Sequence, residues 1–279
     1  METVVEVIGV NGDVVTIAGE NVGVDGIWMA TDLEGLYDPE VEVVTQSPGN
    51  RAGARYVSHR ILERTINFIV TISNDDGVGK TWRARDYRWR RLWAFDRYTK
   101  IRVTTDDGVR VLKVRLAEIQ VDTTYDPHVN DATDVLMTVV ADDPFWYGTE
   151  FIKDVIVNKE ATITVRNANP TENPVFPVWV LEAPGEWTVP DWSPETPDKA
   201  IKIPWVPGNS DLLIQTDPMA RQVVGKSGLP IWTWMNGVRF QKHIPPFTDE
   251  VKLKIQCKAE APKQAQLRLV RPYNRPWGL

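Results

Sequence analysis

The stretch "DDPFWYG", residues 142–148, lies close to the middle of this 279-residue chain and decides how the fold is interpreted. Two acidic residues and a proline interrupt regular structure, which is typical of a boundary between domains. Three adjacent aromatic side chains, Phe145, Trp146 and Tyr147, follow at once and require burial. Each buried ring removes roughly 150–250 Å² from water, so the three rings are expected to lock two rigid domains together.

Alternation of polar and apolar residues between frequent turn signals predicts strands along most of the chain. Residues 1–147 are predicted to form a β-barrel or β-sheet domain with one helix, and residues 148–279 a β-sandwich. The segment "RTINFIVTI" (64–72) shows the pattern clearly, with four apolar residues on one face. A hairpin near the N-terminus is predicted to turn at Asn11-Gly12 through a type I′ turn.

The segment "TWRARDYRWRRLWAFD" (81–96) departs from this alternation and predicts a helix capped by Thr81. Trp89 and Trp93 lie four residues apart, on the face expected to be buried. The other faces carry five arginines, namely Arg83, Arg85, Arg88, Arg90 and Arg91. Arginines beside aromatic rings can bind nucleic acid, but the surrounding half of the chain is acidic and would repel phosphate. An arginine belt that faces another protein is therefore favoured.

Beyond residue 148 the chain is richer in proline and tryptophan. We interpret "APGEWTVPDWSPETPD" (183–198) as a proline-rich loop and "IWTWMNGVRF" (231–240) as a hairpin that turns at Asn236-Gly237. The segment "VKLKIQCKA" (251–259) alternates cleanly, which predicts a strand with its cysteine in the core. The last residues, "RPYNRPWGL" (271–279), are too rich in proline for a core strand and are expected to extend as an arm along a surface.

The tryptophans of this half also permit a carbohydrate-binding interpretation. Trp232 and Trp234 would share one strand face of the predicted hairpin, with Arg239 across its turn. Sugars stack on exposed indole rings while polar side chains hold their hydroxyl groups. The same rings could instead fill a core or an interface. A receptor-recognition module that uses these three residues is therefore the alternative function.

Enzymatic and metal sites have weak support in the sequence. The segment "NDDGVGKTW" (74–82) has the setting of a phosphate-binding loop, but Asn74 replaces its first glycine and two acidic residues would repel phosphate. The three histidines are far apart, and a single cysteine excludes an internal disulfide and a cysteine-based zinc site. We therefore expect no catalytic residues, no metal and no cofactor.

Charge is segregated along the chain, whose formal net charge is −6. Residues 1–50 hold ten acids and no Lys or Arg, whereas residues 51–115 hold 16 Lys and Arg against 7 acids. Complementary faces that meet within or between chains would explain this, and so would an ordinary solvated surface. No apolar run approaches the roughly 18 residues that a membrane span needs, and from the acidic start we expect no secretory signal.

The order of these parts resembles the phage distal tail protein family, minor tail proteins that form a ring in the baseplate of long non-contractile tails. That family has a glycine-rich "GVDG…LEGLYDP" stretch, which Gly23 to Pro39 resembles. Its first domain closes on a strand that runs into "DP(F/Y)W", matched by Asp143 to Trp146. Its second domain is a galectin-like sandwich, whose parts resemble "DLLIQTDPMARQVV", "MNGVRF" and the proline-rich arm of this chain.

The resemblance implies a structural protein without catalysis, located at the tail tip of the virion after assembly in the host cytoplasm. Six first domains would form a homo-oligomeric ring below the tail tube protein, and a hub or fibre protein would dock underneath. DNA and the tape-measure protein would pass through the ring without specific binding. No membrane is involved in this arrangement.

A head-to-tail ring needs two different complementary patches on each subunit. The segregated charges supply candidates for these patches. The hypothesis is that the five helix arginines pair with acids between Glu20 and Glu42 of a neighbouring subunit, among them Asp32, Glu34 and Glu40.

Overall fold

The computed structural model describes residues 3–30, 33–50, 52–74, 81–122, 124–208 and 210–278. The chain divides into two compact units. The first comprises Met1–Trp146 together with Asn274–Gly278, and the second comprises Tyr147–Tyr273. The division therefore falls inside the aromatic stretch, and the end of the chain belongs to the first unit.

Strands dominate the first unit. Its elements in chain order are β1 (Val4–Ile8), β2 (Val14–Ala18), β3 (Ile27–Met29), β4 (Val41–Gln46), β5 (Arg55–Ile61), β6 (Arg64–Ser73), α1 (Trp82–Arg91), β7 (Thr99–Thr105), β8 (Gly108–Val121), α2 (Pro127–Asn130) and β9 (Ala132–Ala141). The short strand β10 (Trp146–Tyr147) spans the division. Seven antiparallel strands follow one another in the order β2-β1-β7-β8-β9-β6-β3, and β10 joins the same sheet beside β8. Among the described residues, β4 and β5 form a separate two-stranded sheet.

The core of the first unit follows the predicted periodicities. Strand β6 buries alternate residues, namely Ile66, Phe68, Val70 and Ile72. Helix α1 buries Trp89, and Trp93, two residues beyond its end, is also buried, with its ring centroid 6.1 Å from that of Phe68. Thr81 caps the helix, because its side chain accepts a hydrogen bond from the backbone N–H of Ala84 at 3.4 Å. The helix and its cap are therefore confirmed, but the helix ends at Arg91, so Trp93 is buried from the segment that follows it and not from the helix.

The first hairpin is present, but its predicted type I′ turn is wrong. That turn requires positive φ at both central residues, whereas Gly12 has φ 85° and Asn11 is not in the left-handed region. The N–H of Gly12 donates to the carbonyl of Gly9 at 3.0 Å, and the N–H of Gly9 donates to the carbonyl of Asp13 at 2.8 Å. The loop is longer than two residues, so only its last glycine has to be left-handed.

The second unit is a sandwich of two antiparallel sheets, as predicted. Its elements are β11 (Phe151–Val157), β12 (Glu160–Asn169), β13 (Val178–Leu181), β14 (Gly185–Pro190), β15 (Ala200–Val206), β16 (Leu212–Gln215), β17 (Val223–Gly225), a 3₁₀-helix (Ile231–Met235), β18 (Thr248–Lys258), β19 (Lys263–Leu269) and β20 (Pro272–Tyr273). One sheet has the order β11-β19-β13-β16-β17 and the other β12-β18-β14-β15. Apolar side chains of both sheets form one core, in which Cys257 is buried as predicted.

The predicted loop at 183–198 is wrong over its first half. Residues Gly185–Pro190 form β14, which lies between β18 and β15. Trp187 and Val189 alternate into the core and are fully buried. Pro184 precedes β14 and Pro190 is its last residue. Burying Trp187 and Val189 stabilises the strand by more than the turn preference of these prolines opposes it.

The predicted hairpin at 231–240 is also wrong. Residues Ile231–Met235 form a 3₁₀-helix, and Asn236 (φ 50°) and Gly237 (φ 79°) follow it in the left-handed conformation. The Asn-Gly pair was therefore correctly identified as a site of positive φ, but it ends a helix instead of joining two strands. Trp232 and Trp234 consequently do not share a strand face, because residues two apart in a 3₁₀-helix point in different directions.

Candidate functional site

A buried arginine joins the segments that carry the family resemblance. Arg64 opens β6, and its side chain is almost completely buried within the first unit. Its Nε donates to the carbonyl of Pro144 at 2.9 Å, in the "DPFW" stretch. Its guanidinium also donates to three consecutive carbonyls of the "GLY" stretch, at 3.1 Å (Gly35), 2.9 Å (Leu36) and 2.8 Å (Tyr37), and to Asn274 of the C-terminal arm at 2.6 Å.

The Arg64 side chain is therefore surrounded by carbonyl oxygens. Burial lowers its pKa to about 10, and the nearby Asp38 carboxylate acts in the opposite direction. The guanidinium remains charged at neutral pH, so all five contacts are charge-assisted hydrogen bonds. Sequence reasoning identified the two motifs by resemblance but did not identify Arg64.

At two positions of the stretch that resembles the family, steric crowding requires glycine. Gly35 has φ 76°, and a Cβ at this position would lie 2.0 Å from the carbonyl oxygen of Thr65. Gly26 has φ 67°, and a Cβ there would lie 1.7 Å from Nη1 of Arg85. Only glycine allows these close approaches without moving the neighbouring strand or the Arg85 side chain.

The proline-rich arm lies on the first unit. Arg110 donates to the carbonyl of Arg275 at 2.8 Å and also to that of Gly278. Arg275 pairs with Asp38, with Nε and Oδ1 2.7 Å apart. The Trp277 ring packs edge-to-face on a tyrosine of the "GLY" stretch, with centroids 4.9 Å apart. The arm thus extends over protein surface, as its composition predicted.

The aromatic stretch is buried to different extents. The Trp146 side chain is fully buried, and those of Phe145 and Tyr147 are partly buried. The predicted locking of two domains by these three rings stays a prediction.

Asp142 holds a small polar cluster just before that stretch. Its carboxylate accepts hydrogen bonds from Arg115, whose Nε lies at 2.8 Å, and from the Tyr98 hydroxyl at 2.8 Å. The hydrogen bonds from Arg115 and then from Tyr98 lower the pKa of Asp142 from 3.8 to about 2. Because the folded-state pKa is depressed, the stabilisation is present above about pH 4 and is lost as the pH falls through about 2.

Replacing Asp142 with asparagine is therefore expected to lower stability at neutral pH and to flatten its decline between about pH 4 and 2. Urea unfolding followed at several pH values would measure both effects. Glu63→Gln is the matched control, because Glu63 is exposed and has no ion pair with another described residue. A wild-type acid dependence that Asp142→Asn leaves unchanged would contradict the assignment.

The five helix arginines do not form one exposed belt. Arg85 is buried and donates to the carbonyl of Ser73, so its predicted role in pairing with a neighbour is wrong. Arg88 pairs with Asp25 of the same chain. Arg85 lies one turn before the buried Trp89, so it faces the first unit, and both arginines meet acceptors there.

The remaining three arginines are exposed. Arg90 pairs with Asp86 within the helix, with Nε and Oδ2 2.9 Å apart. The Arg91 guanidinium lies 5.6 Å from the centroid of the Tyr87 ring. Among the described residues, Arg83 makes a long contact of 3.4 Å from its Nε to a histidine nitrogen of α2. Arg83 and Arg91 are therefore the members of the set that retain a charge without an acidic partner among the described residues.

The predicted acidic partners are only partly described. Asp32 lies outside the described residues. Glu34 and Glu40 are exposed, and neither makes an ion pair with another described residue. Both are thus available for contact with another molecule.

Strands β4 and β5 form an exposed hairpin that the sequence analysis did not single out. All six residues of β4 and all but the last of β5 are exposed. Val41 lies opposite Ile61, and Val43 lies opposite His59, so these four side chains share one face. Tyr56 hydrogen-bonds to Nδ1 of His59 on the same face. The exposed fractions of Val43 and Tyr56 are 55% and 57%.

The second unit contains a cavity of about 490 Å³ beside the 3₁₀-helix. Trp232 and Arg239 line it, as does Arg221, which sequence reasoning missed. Trp234 does not line it, although its exposed fraction, 42%, is nearly that of Trp232, 41%. The cavity therefore unites two of the three predicted sugar-binding residues and excludes the third.

Two classes of site can be reported for the described part of the chain. There, no helix is long and apolar enough to cross a membrane. In the same residues, no group of three or more His, Cys, Asp or Glu side chains could hold a metal ion. The disfavoured phosphate-binding loop falls largely on residues 75–80, which lie outside the described residues.

No protein-family model matches the chain. The minor tail protein Gp27 of Mycobacterium phage L5 is 35% identical, and that of Mycobacterium phage D29 is 34% identical. Each comparison covers 100% of this chain and 99% of the relative. Among solved structures, the Dit (gp 19.1) protein of phage SPP1 has a TM-score of 0.62 at 15% identity, covering 95% of this chain and 98% of that one. A chain of the phage P2 baseplate has a TM-score of 0.54 at 10% identity, covering 99% and 100%.

The two-unit β fold is thus that of the distal tail, or Dit, class of phage proteins. The full-length relatives allow a closer assignment: the chain belongs to the phage minor tail protein family that includes the Gp27 proteins. It is a structural protein of the phage tail and, like those relatives, not an enzyme.

Proposed function

We propose that the chain forms a ring at the tail tip, where it joins the tail tube to the hub or fibre proteins. The ring contains six copies and leaves a channel for DNA and the tape-measure protein. Assembly takes place in the host cytoplasm. Support comes from family membership and from the solved structures of similar fold, one described as a paradigm of hub adsorption apparatus and the other part of a baseplate.

The observation that carries the ring is the exposed hairpin β4–β5. An isolated two-stranded hairpin is marginally stable in water at best, because it has no layer to pack against. The face that carries Val41, Val43, Tyr56 and Ile61 is largely apolar, with His59 as a polar member. The opposite face carries the exposed ion pair of Glu42 and Arg60, with Nε and Oε2 2.6 Å apart. The hairpin therefore exposes one largely apolar face, which is suited to a protein surface.

A neighbouring copy of the chain is the partner that the β4–β5 hairpin fits. A ring is built from heterologous contacts, in which a patch on one subunit meets a different patch on the next. The hairpin β4–β5 supplies one such patch. Exposed Arg83 and Arg91, together with Glu34 and Glu40, add charge complementarity at the rim, where each pair contributes little by itself.

The excess of acidic residues in the first half suits a channel for DNA. Residues 1–50 and 116–147 carry seventeen acids and no Lys or Arg. A lumen with net negative potential repels phosphate, so DNA passes without adhering.

The double variant Val43→Asp/Tyr56→Asp is expected to prevent ring assembly, because it places two charges in the apolar face of the hairpin. Light scattering and negative-stain images of the full chain, alone and co-expressed with its neighbouring tail proteins, would measure this. Wild type should give rings, and the variant single copies with an unchanged melting temperature.

The control is Ile156→Asp, which charges a comparably exposed apolar residue on β11 of the second unit. That variant should still form rings. Rings from the hairpin variant, or wild type that stays a single copy both with its partners and in virions, would refute the proposal.

A further inference from the structure

The cavity of the second unit has a rigid frame. Gln222 is buried on one wall, and its Nε2 donates to the carbonyl of Phe240 at 2.8 Å. The N–H of Phe240 donates back to Oε1 of Gln222 at 2.9 Å. The Gln222 amide also donates to the Asp217 carbonyl at 3.2 Å. These bonds join the chain around 220–222 to the chain around 237–240, so the two walls that carry Arg221 and Arg239 are held together.

The third wall is the 3₁₀-helix. Thr233 donates from its hydroxyl to the carbonyl of Pro230 at 2.8 Å, which fixes the first turn. The left-handed residues Asn236 and Gly237 then end the helix and direct the chain to Val238 and Arg239. The cavity is thus formed by fixed backbone before any ligand arrives, and its volume lies within the range of about 300–1,000 Å³ typical of ligand sites.

The charges on the cavity walls are unbalanced. Arg221 and Arg239 line it, and both are exposed. Neither makes an ion pair with a described residue, and no Asp or Glu belongs to the lining. Most other cationic side chains of the second unit do have acidic partners, for example Lys199 with Asp191 at 2.7 Å. Guanidinium groups bind carboxylates and phosphates with paired N–H donors, so this cavity attracts an anion.

The aromatic member of the lining adds a second requirement. Trp232 exposes 41% of its surface, and its indole face carries the negative side of a quadrupole. The C–H groups on one face of a pyranose ring carry partial positive charge and pack on such a surface. A ligand that satisfies the site must therefore present a flat C–H face and an anionic group within one small unit.

We propose that this cavity binds an acidic saccharide, with a uronate ring on Trp232 and its carboxylate on Arg221 and Arg239. A uronate combines both features in one ring, whereas an aspartate or glutamate side chain of a peptide has the charge without the face. The ring assembly proposed above does not involve these residues, so the two proposals fail independently.

Titration calorimetry of the full-length protein with trigalacturonate tests the assignment. Its uncharged methyl ester and triglutamate are the comparison ligands. Wild type should bind trigalacturonate at least about tenfold more tightly than either, a difference of about 1.4 kcal/mol. Trp232→Ala and the pair Arg221→Gln/Arg239→Gln should each weaken binding by about tenfold or more. Only the arginine variant should lose the preference for the acid over its ester.

Trp234→Ala is the matched control, because Trp234 lies on the same helix with nearly equal exposure but outside the cavity. Its affinity should stay within about twofold of wild type. Circular dichroism would establish that each variant is folded, and Trp232→Phe serves if Trp232→Ala is not. Failure of wild type to bind trigalacturonate, equal binding of the ester, tighter binding of triglutamate, or equal loss in Trp234→Ala would each overturn the proposal.

Discussion

Replacing Arg64 with methionine should destabilise the first unit by about 3 kcal/mol or more, since several carbonyls lose a charge-assisted bond. Methionine fills much of the same volume but donates no hydrogen bond. The five carbonyls belong to three separate segments, at 35–37, 144 and 274. Water cannot replace the guanidinium without opening the contact between them. Urea denaturation followed by tryptophan fluorescence would measure the loss.

Two further variants test whether the several N–H donors of the Arg64 guanidinium matter beyond its charge. Arg64→Lys keeps the charge but offers one nitrogen to five carbonyls, so its stability should fall between wild type and Arg64→Met. Arg60→Met removes an arginine of the exposed hairpin, where ion pairs contribute little, and should change unfolding far less. The interpretation is wrong if Arg64→Met unfolds like Arg60→Met. If Arg64→Met does not fold, the lysine variant carries the comparison.

The Arg64 site shows what the sequence could and could not predict. The two motifs around it were recognisable, because glycine, proline and aromatic residues leave a local signature. Their meeting point was not, since backbone carbonyls are present at every residue and carry no signature. The contacts of Arg64 also span 27 to 210 residues along the chain, a separation that periodicity does not reach. The one sequence signal was that Arg64 is in phase with the apolar residues of β6, which predicts an arginine on the buried face of that strand.

Periodicity predicted the strands and the helix where one face is clearly apolar, as in β6 and α1. It failed where proline or Asn-Gly turn signals indicated one structure and the burial of side chains favoured another. In "IWTWMNG" the alternating tryptophans have the pattern of a strand, although the segment is a 3₁₀-helix. The cavity that Trp232 lines could not be inferred from this pattern. Arg221 lies 11 residues before Trp232 and shares no pattern with it, so the full charge of the cavity appears only in three dimensions.

Trp187 gives the second large effect, because it decides between a proline-rich loop and a core strand. Its side chain is fully buried in the second unit, and its Nε1 donates to the carbonyl of Glu182 at 3.2 Å. On β14 it lies opposite Ile203 on one side and Cys257 on the other. Trp187→Ala is expected to cost about 3–5 kcal/mol, since the cavity left between the two sheets cannot collapse easily. Calorimetric unfolding of the full chain would detect a lower melting temperature for the second unit.

Trp205→Ala is the control for that measurement. Trp205 lies on the neighbouring strand β15 and exposes 52% of its surface. Trp205→Ala therefore removes the same type of side chain without leaving a cavity in the core. Its melting temperature should stay close to that of wild type. A residue in a solvated loop would behave like Trp205. Similar small shifts in both variants would therefore restore the loop interpretation of residues 183–198, whereas a large shift confined to Trp187→Ala requires that β14 completes the inner face of its sheet.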